Sequence, residues 1–278
     1  MKVGIVGLGL LGGSLAKSTK ARTMHQVLGI DINDETMLLA RMCGAIDEPL
    51  STANIGDCDM LFLALLPHIA IEWMQEHAAL IAPNTIVVDF CGVKRKVCGL
   101  LQPLAQEHGF TYIGGHPMAG RERGGFVNST EDLFDGAAMI LVPDNSIDIS
   151  TLEELKNFFL DVGFAQLTFT TPTEHDRIIA FTSQLAHITS SAYVRSPEAL
   201  QRRGFSADSF GDMTRVARLD VNMWTELFCA NSDFLGDQLD ILIGNLSEFR
   251  AALELGDEAR ISQLLQEGCD IKARVGDN

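Results

Sequence analysis

Nearly unbroken apolar runs alternate with amphipathic stretches through the first 170 residues. KVGIV at 2–6, VLGID at 27–31, MLFLALL at 60–66, TIVVD at 85–89, TYIGG at 111–115, AMILV at 138–142 and AQLTFT at 165–170 lack the in–out alternation of a half-exposed sheet. They predict strands covered on both faces, as in a parallel sheet. Helix-period stretches separate most of them, at 11–20, 34–42, 69–80, 94–108 and 152–162. This repetition predicts an open α/β sheet flanked by helices.

The pattern changes at Thr171-Pro172, a helix start with Thr171 as N-cap and Pro172 in the first turn. Beyond it no strand run is evident. Helices are expected at 173–194, 208–219, 221–243, 246–254 and 257–273, so the chain divides into an α/β domain over 1–170 and an all-helical domain over 171–278. No low-complexity linker or internal repeat intervenes, and rigid packing of the two is expected. Leu235, Leu239, Ile241, Leu242, Leu246 and Phe249 supply more apolar surface than one small helical domain buries. A homodimer through the helical domain is therefore expected.

Charge narrows the partners. Lys and Arg number 21 against 37 Asp and Glu, a formal charge of −16. Such a surface repels nucleic acid and anionic lipid, so neither is an expected partner. An anionic substrate would require a local arginine cluster. The six cysteines show no C-x-x-C spacing and no zinc-finger histidine pair. Free thiols, a cytoplasmic location and no metal site are expected. The longest apolar run, Met60–Leu66, is too short to span a bilayer.

Gly7-Leu8-Gly9-Leu10-Leu11-Gly12 is G-x-G-x-x-G between a predicted strand and a predicted helix. In this setting the first glycine permits a tight turn, the second lets backbone approach a pyrophosphate, and the third allows close helix–strand packing. Asp31 ends the next strand, 19 residues beyond Gly12, where a carboxylate binds ribose hydroxyls and repels a 2′-phosphate. The pattern is that of a Rossmann-type domain, with NAD expected over NADP. Leu65 and Pro67, at the end of the following strand, are expected to line the nucleotide. His68 reads as a helix-terminus residue.

Asp89-Phe90-Cys91-Gly92-Val93-Lys94 and Gly114-Gly115-His116-Pro117-Met118-Ala119-Gly120 close two further strands on the same edge. Oxidising an alcohol by hydride transfer needs an acceptor for the hydroxyl proton. His116, in what reads as a glycine-flanked loop, is the matched group. The chain at this point resembles the prephenate/arogenate dehydrogenase family of tyrosine biosynthesis. The segments carrying the resemblance are GLGLLGGSLA at 7–16, GIDIN at 29–33, VVDFCGVK at 87–94, GGHPMAGRE at 114–122, EHDRIIAFTSQLAH at 174–187 and GDMTRVARLDVNMW at 211–224.

The resemblance implies NAD-dependent oxidation of a 4-hydroxycyclohexadiene with loss of carbon dioxide. It implies His116 as the catalytic histidine and Arg215 as the holder of a substrate carboxylate. His187 matches the second histidine of the family's S-H-L-P-H segment, and His175 the histidine of E-E-H-D. Three departures bear on the substrate: Gly92 where serine is frequent, Gln184 in place of the first histidine of S-H-L-P-H, and Arg121 where threonine is frequent. Gly92, Arg121, Gln184, His187 and Arg215 are thus the expected substrate-binding positions. A neutral Gln184 and an added Arg121 favour a dianion, so prephenate is expected over arogenate; Arg121 as a solvated loop residue is the plainer alternative. A β-hydroxyacid-type dehydrogenase would need a lysine in the helical half, where only Lys272 is present. A non-enzymatic NAD sensor would need neither His116 nor Arg215. No mutase-like segment before the first strand and no regulatory domain after the last helix is expected.

Overall fold

A computed structural model describes residues 1–205 and 207–276. The expected end of the helical half at 278 thus lies outside the described residues. Eight strands form one sheet: β1 (Lys2–Val6), β2 (Gln26–Ile30), β3 (Glu48–Pro49), β4 (Met60–Leu63), β5 (Ile86–Asp89), β6 (Thr111–Pro117), β7 (Ala138–Val142) and β8 (Gln166–Phe169). Helices α1 (Leu10–Arg22), α2 (Asp34–Met42), α3 (Pro67–His77), α4 (Arg95–His108) and α5 (Ile149–Asp161) connect them. The spatial order is β3-β2-β1-β4-β5-β6-β7-β8. Strand order reverses at β1, which lies between β2 and β4, and the carboxyl ends of β1 and β4 therefore flank the switch-point crevice where such sheets bind ligands.

Both faces of the sheet are covered from β2 across to β7, as the unbroken apolar runs require, but at the β8 edge Gln166, Thr168 and Phe169 are exposed. Val3, Ile5, Phe62 and Val88 pack on one side, and Leu61, Leu63, Val87 and Tyr112 on the other, all essentially inaccessible. Two details differ from the sequence reading. The pairing of β6 with β7 is antiparallel, Gly114 opposite Val142 and His116 opposite Ile140. The connection from Pro117 to Ala138 contains only a short 3₁₀ turn at Phe126–Asn128, so the chain doubles back beside β6 instead of crossing over through a helix. As a result His116 lies in the strand and not in a loop. The short edge strand β3 follows no apolar run; its pairing with β2 is what makes it a strand.

The second half is helical: α6 (Pro172–Ile179), α7 (Ala186–Val194), α8 (Asp208–Thr214), α9 (Val221–Ala230), α10 (Ser232–Leu255) and α11 (Glu258–Val275). Thr171 caps α6 by accepting from Glu174 N. A π-helical segment, Ala180–Leu185, joins α6 to α7 inside the expected helix. The break expected near Gly244-Asn245 is absent; the helix breaks instead at Asn231. That residue is fully buried, and its side chain donates to the carbonyl of Asp176 and to Gln184 Oε1, both at 2.8 Å. Tertiary hydrogen bonds thus decide where α9 ends. The expected helix over 208–219 stops at Thr214, and Arg215–Ala217 form a 3₁₀ turn. No helix among the described residues is long and apolar enough to cross a membrane.

Candidate active site

The glycine-rich turn is built as a cradle. Gly7 has φ +86°, and a Cβ there would stand 2.6 Å from Ala64 O, so neither its conformation nor its space admits a side chain. A Cβ on Gly12 would collide with Gly7 O, whereas one on Gly9 would meet no protein atom within 4 Å. The turn is closed against the sheet at Gly7 and Gly12 and open at Gly9, where Leu10 and Leu11 begin α1. This is the space a pyrophosphate needs at a helix N-terminus, and the turn fits a dinucleotide. Leu65 packs against Gly7, and Pro67 opens α3 at the end of β4. Asp31 Oδ2 accepts from Leu8 N at 2.8 Å and Oδ1 from Asn33 N at 2.9 Å. Each carboxylate oxygen keeps a second lone pair for a ribose hydroxyl.

The ends of β5 and β6 and the start of α4 meet at the start of α6. His116 Nδ1 is 2.9 Å from His175 Nε2, and His175 Nδ1 is 2.7 Å from Asp176 Oδ1. Asp176 is fully buried and also accepts from the backbone N–H of Lys94 at 2.7 Å and of Arg95 at 2.9 Å. The first turn of α4 therefore holds the carboxylate at its positive end. Arg95 extends this junction, donating to Asn231 Oδ1 at 2.9 Å and to both oxygens of Asp233 on α10. Beneath the histidines, Lys94 and Asp89 form an ion pair with no solvent exposure. Tyr112 OH donates to Asp89 Oδ1 at 2.6 Å.

These contacts set the protonation states. Burial, the neighbouring His175 and the Lys94 charge hold the His116 imidazole well below the ordinary histidine value of 6.5. Burial also lowers His175, against the opposing pull of Asp176. For Lys94, burial works against the ammonium, but Asp89 more than compensates and the group stays cationic. Asp176 resists the upward push of burial because His175 and two backbone N–H groups donate to it, and its net shift is downward.

A second group forms on the helical side. His187 is half-buried, donates from Nδ1 to Ser183 O at 2.8 Å and stacks on Trp224 with ring centroids 3.9 Å apart. Burial, and to a lesser degree the Arg215 charge, lower its pKa. One turn beyond Trp224 on α9, Leu227 approaches Gly92: a Cβ there would be 3.2 Å from Leu227 Cδ2 and 3.9 Å from His116 Cε1. Helix α9 thus spans from the His187 side to the His116 side. Arg215 is exposed and lines a cleft of about 400 Å³ with Arg121, Glu122, Arg123 and Asn128. Arg121 is braced by Thr130 Oγ1 at 3.0 Å and lies 3.7 Å from Asp132.

His116, Gly92, Leu227 and the His175–Asp176 pair stand together, and Arg121 meets Arg215 across the cleft. Gln184 adjoins the first group from the helical side and does not line the cleft. It is buried in the π segment, with Nε2 donating to Leu227 O at 3.3 Å and Oε1 accepting from Asn231, so its amide joins helices instead of opening on the cleft. His68 is tied across the two halves, its N–H and Nδ1 both on Glu226 of α9. The sequence reading missed Asp176, the buried Lys94–Asp89 pair and Arg123. Their signals were present: Asp89 and Lys94 bracket the Gly92 loop, and Asp176 follows the histidine of the E-H-D segment.

Comparison with known proteins finds relatives of both halves of the chain. Residues 15–167 match the family model described as prephenate dehydrogenase, nucleotide-binding domain, and residues 171–267 match prephenate dehydrogenase, dimerization domain. A prephenate dehydrogenase of Bacillus subtilis is 27% identical over 96% of this chain and 74% of its own length. A cyclohexadienyl dehydrogenase of Zymomonas mobilis is 26% identical over 92% and 89%. The crystal structure of prephenate dehydrogenase from Aquifex aeolicus in complex with hydroxyphenyl propionate and NAD+ superposes with a TM-score of 0.88 at 27% identity, covering 99% of this chain and 98% of that one. An arogenate dehydrogenase from Synechocystis shares the fold at 24% identity and a TM-score of 0.81, over 99% and 100% of the two chains. A nucleotide cradle at the switch point, a neutral histidine at the end of β6 and family matches to both halves lead to one assignment: the chain belongs to the prephenate dehydrogenase family, NAD-dependent dehydrogenases with a Rossmann-type domain and a helical one.

Proposed function

We propose that this chain oxidises prephenate to 4-hydroxyphenylpyruvate with release of carbon dioxide. Residues 1–170 would hold NAD, and 171–278 would complete the substrate site and form a homodimer in the cytoplasm. The observation that carries the choice of substrate is the convergence of Arg121, Arg123 and Arg215 on one cleft in a chain of net charge −16. Only a local cluster of this kind attracts a dianion against the global field. Arg215 presents the fork that fits a carboxylate, and Arg121 and Arg123 answer the second negative charge.

Gly7, Gly9, Gly12 and Asp31 position the dinucleotide, with Leu8, Leu10, Leu11, Leu65 and Pro67 around it. Bound nicotinamide supplies the hydride acceptor. His116 takes the proton of the ring hydroxyl as hydride leaves the same carbon, so positive charge does not build on the oxygen. The C–CO₂ bond then breaks, its electron pair enters the ring, and the new carbonyl oxygen takes back a proton as the ring becomes aromatic. An assay of NAD reduction with prephenate and arogenate side by side tests the reading. NADH is expected with prephenate at the higher kcat/KM; no NADH with either substrate overturns it.

The dimer reading rests on exposed apolar positions. Leu235, Leu239 and Leu242 are used inside the chain, against Ala180 and Leu185. Ile241, Ile243, Leu246 and Leu253 of α10 and Leu265 and Ile271 of α11 remain more than half exposed. Sedimentation at micromolar concentration should give twice the chain mass of 30.3 kDa; a monomer mass would remove this part of the proposal.

A further inference from the structure

Resting on the reading of His116 as the proton acceptor, we propose that His175 and Asp176 are a positioning dyad that fixes the tautomer of His116 and leaves its Nε2 as a bare lone pair for the substrate hydroxyl. The polarity of the chain follows from what each group can donate. Asp176 is an ionised carboxylate and only accepts, so His175 Nδ1 carries a proton. A neutral His175 then has its lone pair at Nε2. That atom is 2.9 Å from His116 Nδ1, so His116 is the donor and its proton sits on Nδ1. A neutral imidazole with Nδ1 protonated can accept only at Nε2.

Asp176 anchors this order because its remaining capacity is already spent. The backbone N–H groups of Lys94 and Arg95 and the Arg95 side chain donate to it, and Asn231 holds its carbonyl. The carboxylate cannot rotate to serve another partner without breaking the junction between α4, α6 and α10. Among the described residues no other group is hydrogen-bonded to the His116 ring. Gly92 has no hydroxyl, and the space beyond it is filled by the apolar Leu227. Orientation of the imidazole therefore falls to His175. The charged and titratable groups around the pair are Lys94 and Arg95 at the start of α4, Asp89 at the end of β5 with Tyr112 of β6 bonded to it, and Asp176 on α6. Lys94 and Asp89 face each other as a pair.

Two measurements on the full chain test the dyad. The first needs no substrate: imidazole ¹⁵N NMR of wild type should show His116 protonated at Nδ1 and bare at Nε2, and His175→Ala should move it toward the Nε2-protonated form. The second is the pH profile of NAD reduction with prephenate. His175→Ala should lower kcat roughly 10–100-fold, the scale of losing a partner that orients a reactive imidazole, while KM stays within about threefold. Its acid limb should move up toward the ordinary histidine range as water reaches His116. His175→Gln, whose amide oxygen can accept from His116 Nδ1, should recover much of kcat. If His175→Ala does not fold, His175→Gln and the wild-type spectrum decide. A wild-type His116 protonated at Nε2, or a His175→Ala enzyme with unchanged kcat and acid limb, overturns the dyad. A wild-type chain inactive on prephenate and arogenate overturns the proposed function instead, and the spectrum still decides the tautomer.

Discussion

His175, Asp176, Lys94 and Asp89 have no exposed side-chain surface, and each is bonded to a neighbour brought from another strand or helix. Arg121, five residues beyond His116, is 45% exposed and leans on Thr130 and Asp132, while Arg215 opposite it stands in solvent. On the proposed reading the two regions serve one reaction on different terms. Around His116 a proton must leave a hydroxyl at a defined atom, and fixed dipoles in a dry setting do this without reorganising during the reaction. At the arginines a hydrated carboxylate must be captured. Exposed guanidinium groups hold such an anion at modest energy, but they remain hydrated until it arrives and so cost little to keep unpaired.

The sharpest way to break this contrast is His116→Asn. If the proton acceptor is preorganised, its loss appears in the transition state: kcat should fall ~10²–10⁴-fold with KM nearly intact. The wild-type kcat profile should fall on the acid side at a pH below 6.5, because burial, His175 and Lys94 all disfavour the imidazolium. Since the pKa is depressed, the neutral, active form persists as pH drops past the ordinary histidine value and is lost only below it. That limb should vanish in His116→Asn. A survivor with wild-type kcat, or with the limb intact, would place the base elsewhere.

Arg215→Ala probes the other region. The carboxylate it would hold is present in ground and transition states alike, so the loss should fall on KM. For a fully desolvated pair the cost would reach several kcal/mol. The exposure of Arg215 brings it down to about 2 kcal/mol, roughly 30-fold in kcat/KM. A fall confined to kcat would mean that Arg215 acts on the reacting centre and not on a carboxylate held alike in ground and transition states.

Asp31 stands between the two regimes, half-buried and already accepting from Leu8 N and Asn33 N. Asp31→Ser should weaken NAD binding and improve NADP use, changing the ratio of their kcat/KM values by about tenfold, the worth of one hydrogen bond and a relieved charge clash. An unchanged ratio would mean that the carboxylate serves the turn alone.

The same contrast explains what was legible in the sequence. Gly7, Gly9, Gly12 and Asp31 act within one β-α-β unit, so their spacing carries their meaning. The apolar runs marked seven strands; six are covered on both faces, and burial of that kind leaves a composition signal, while the exposed edge strand β8 was marked by its β-prone residues. Direction leaves none: β7 reverses because a connection without a helix returns beside β6, and this moved His116 from an expected loop into a strand. Helix ends chosen by distant partners were equally hidden. Asn231 breaks the helix between α9 and α10 by bonding to Asp176 and Gln184, 55 and 47 residues away. The dyad itself joins His116 to a residue 59 positions later, and His175 alone does not distinguish a packing histidine from a partner of His116. Gln184 illustrates the reverse case: a residue in a motif position whose amide is used for packing.

The smallest expected effect belongs to Arg121, and it tests the substrate most directly. Its guanidinium is already shared with Thr130 and lies near Asp132, so part of its field is spent before any ligand binds. Arg123 and Arg215 line the same cleft and would retain most of the attraction for an anion. Arg121→Thr should therefore lower kcat/KM for prephenate only a few-fold, through KM, at low salt. The deficit should shrink as ionic strength rises, because the Debye length falls from about 10 Å at 0.1 M to about 3 Å at 1 M. Prephenate offers a keto acid where arogenate offers an ammonium beside its carboxylate, so the same substitution should cost arogenate less and narrow the preference. Equal losses for the two substrates would show that Arg121 orders the loop at 119–130 without reading the side chain. A gain with prephenate would mean that the three arginines do not act on a common anion.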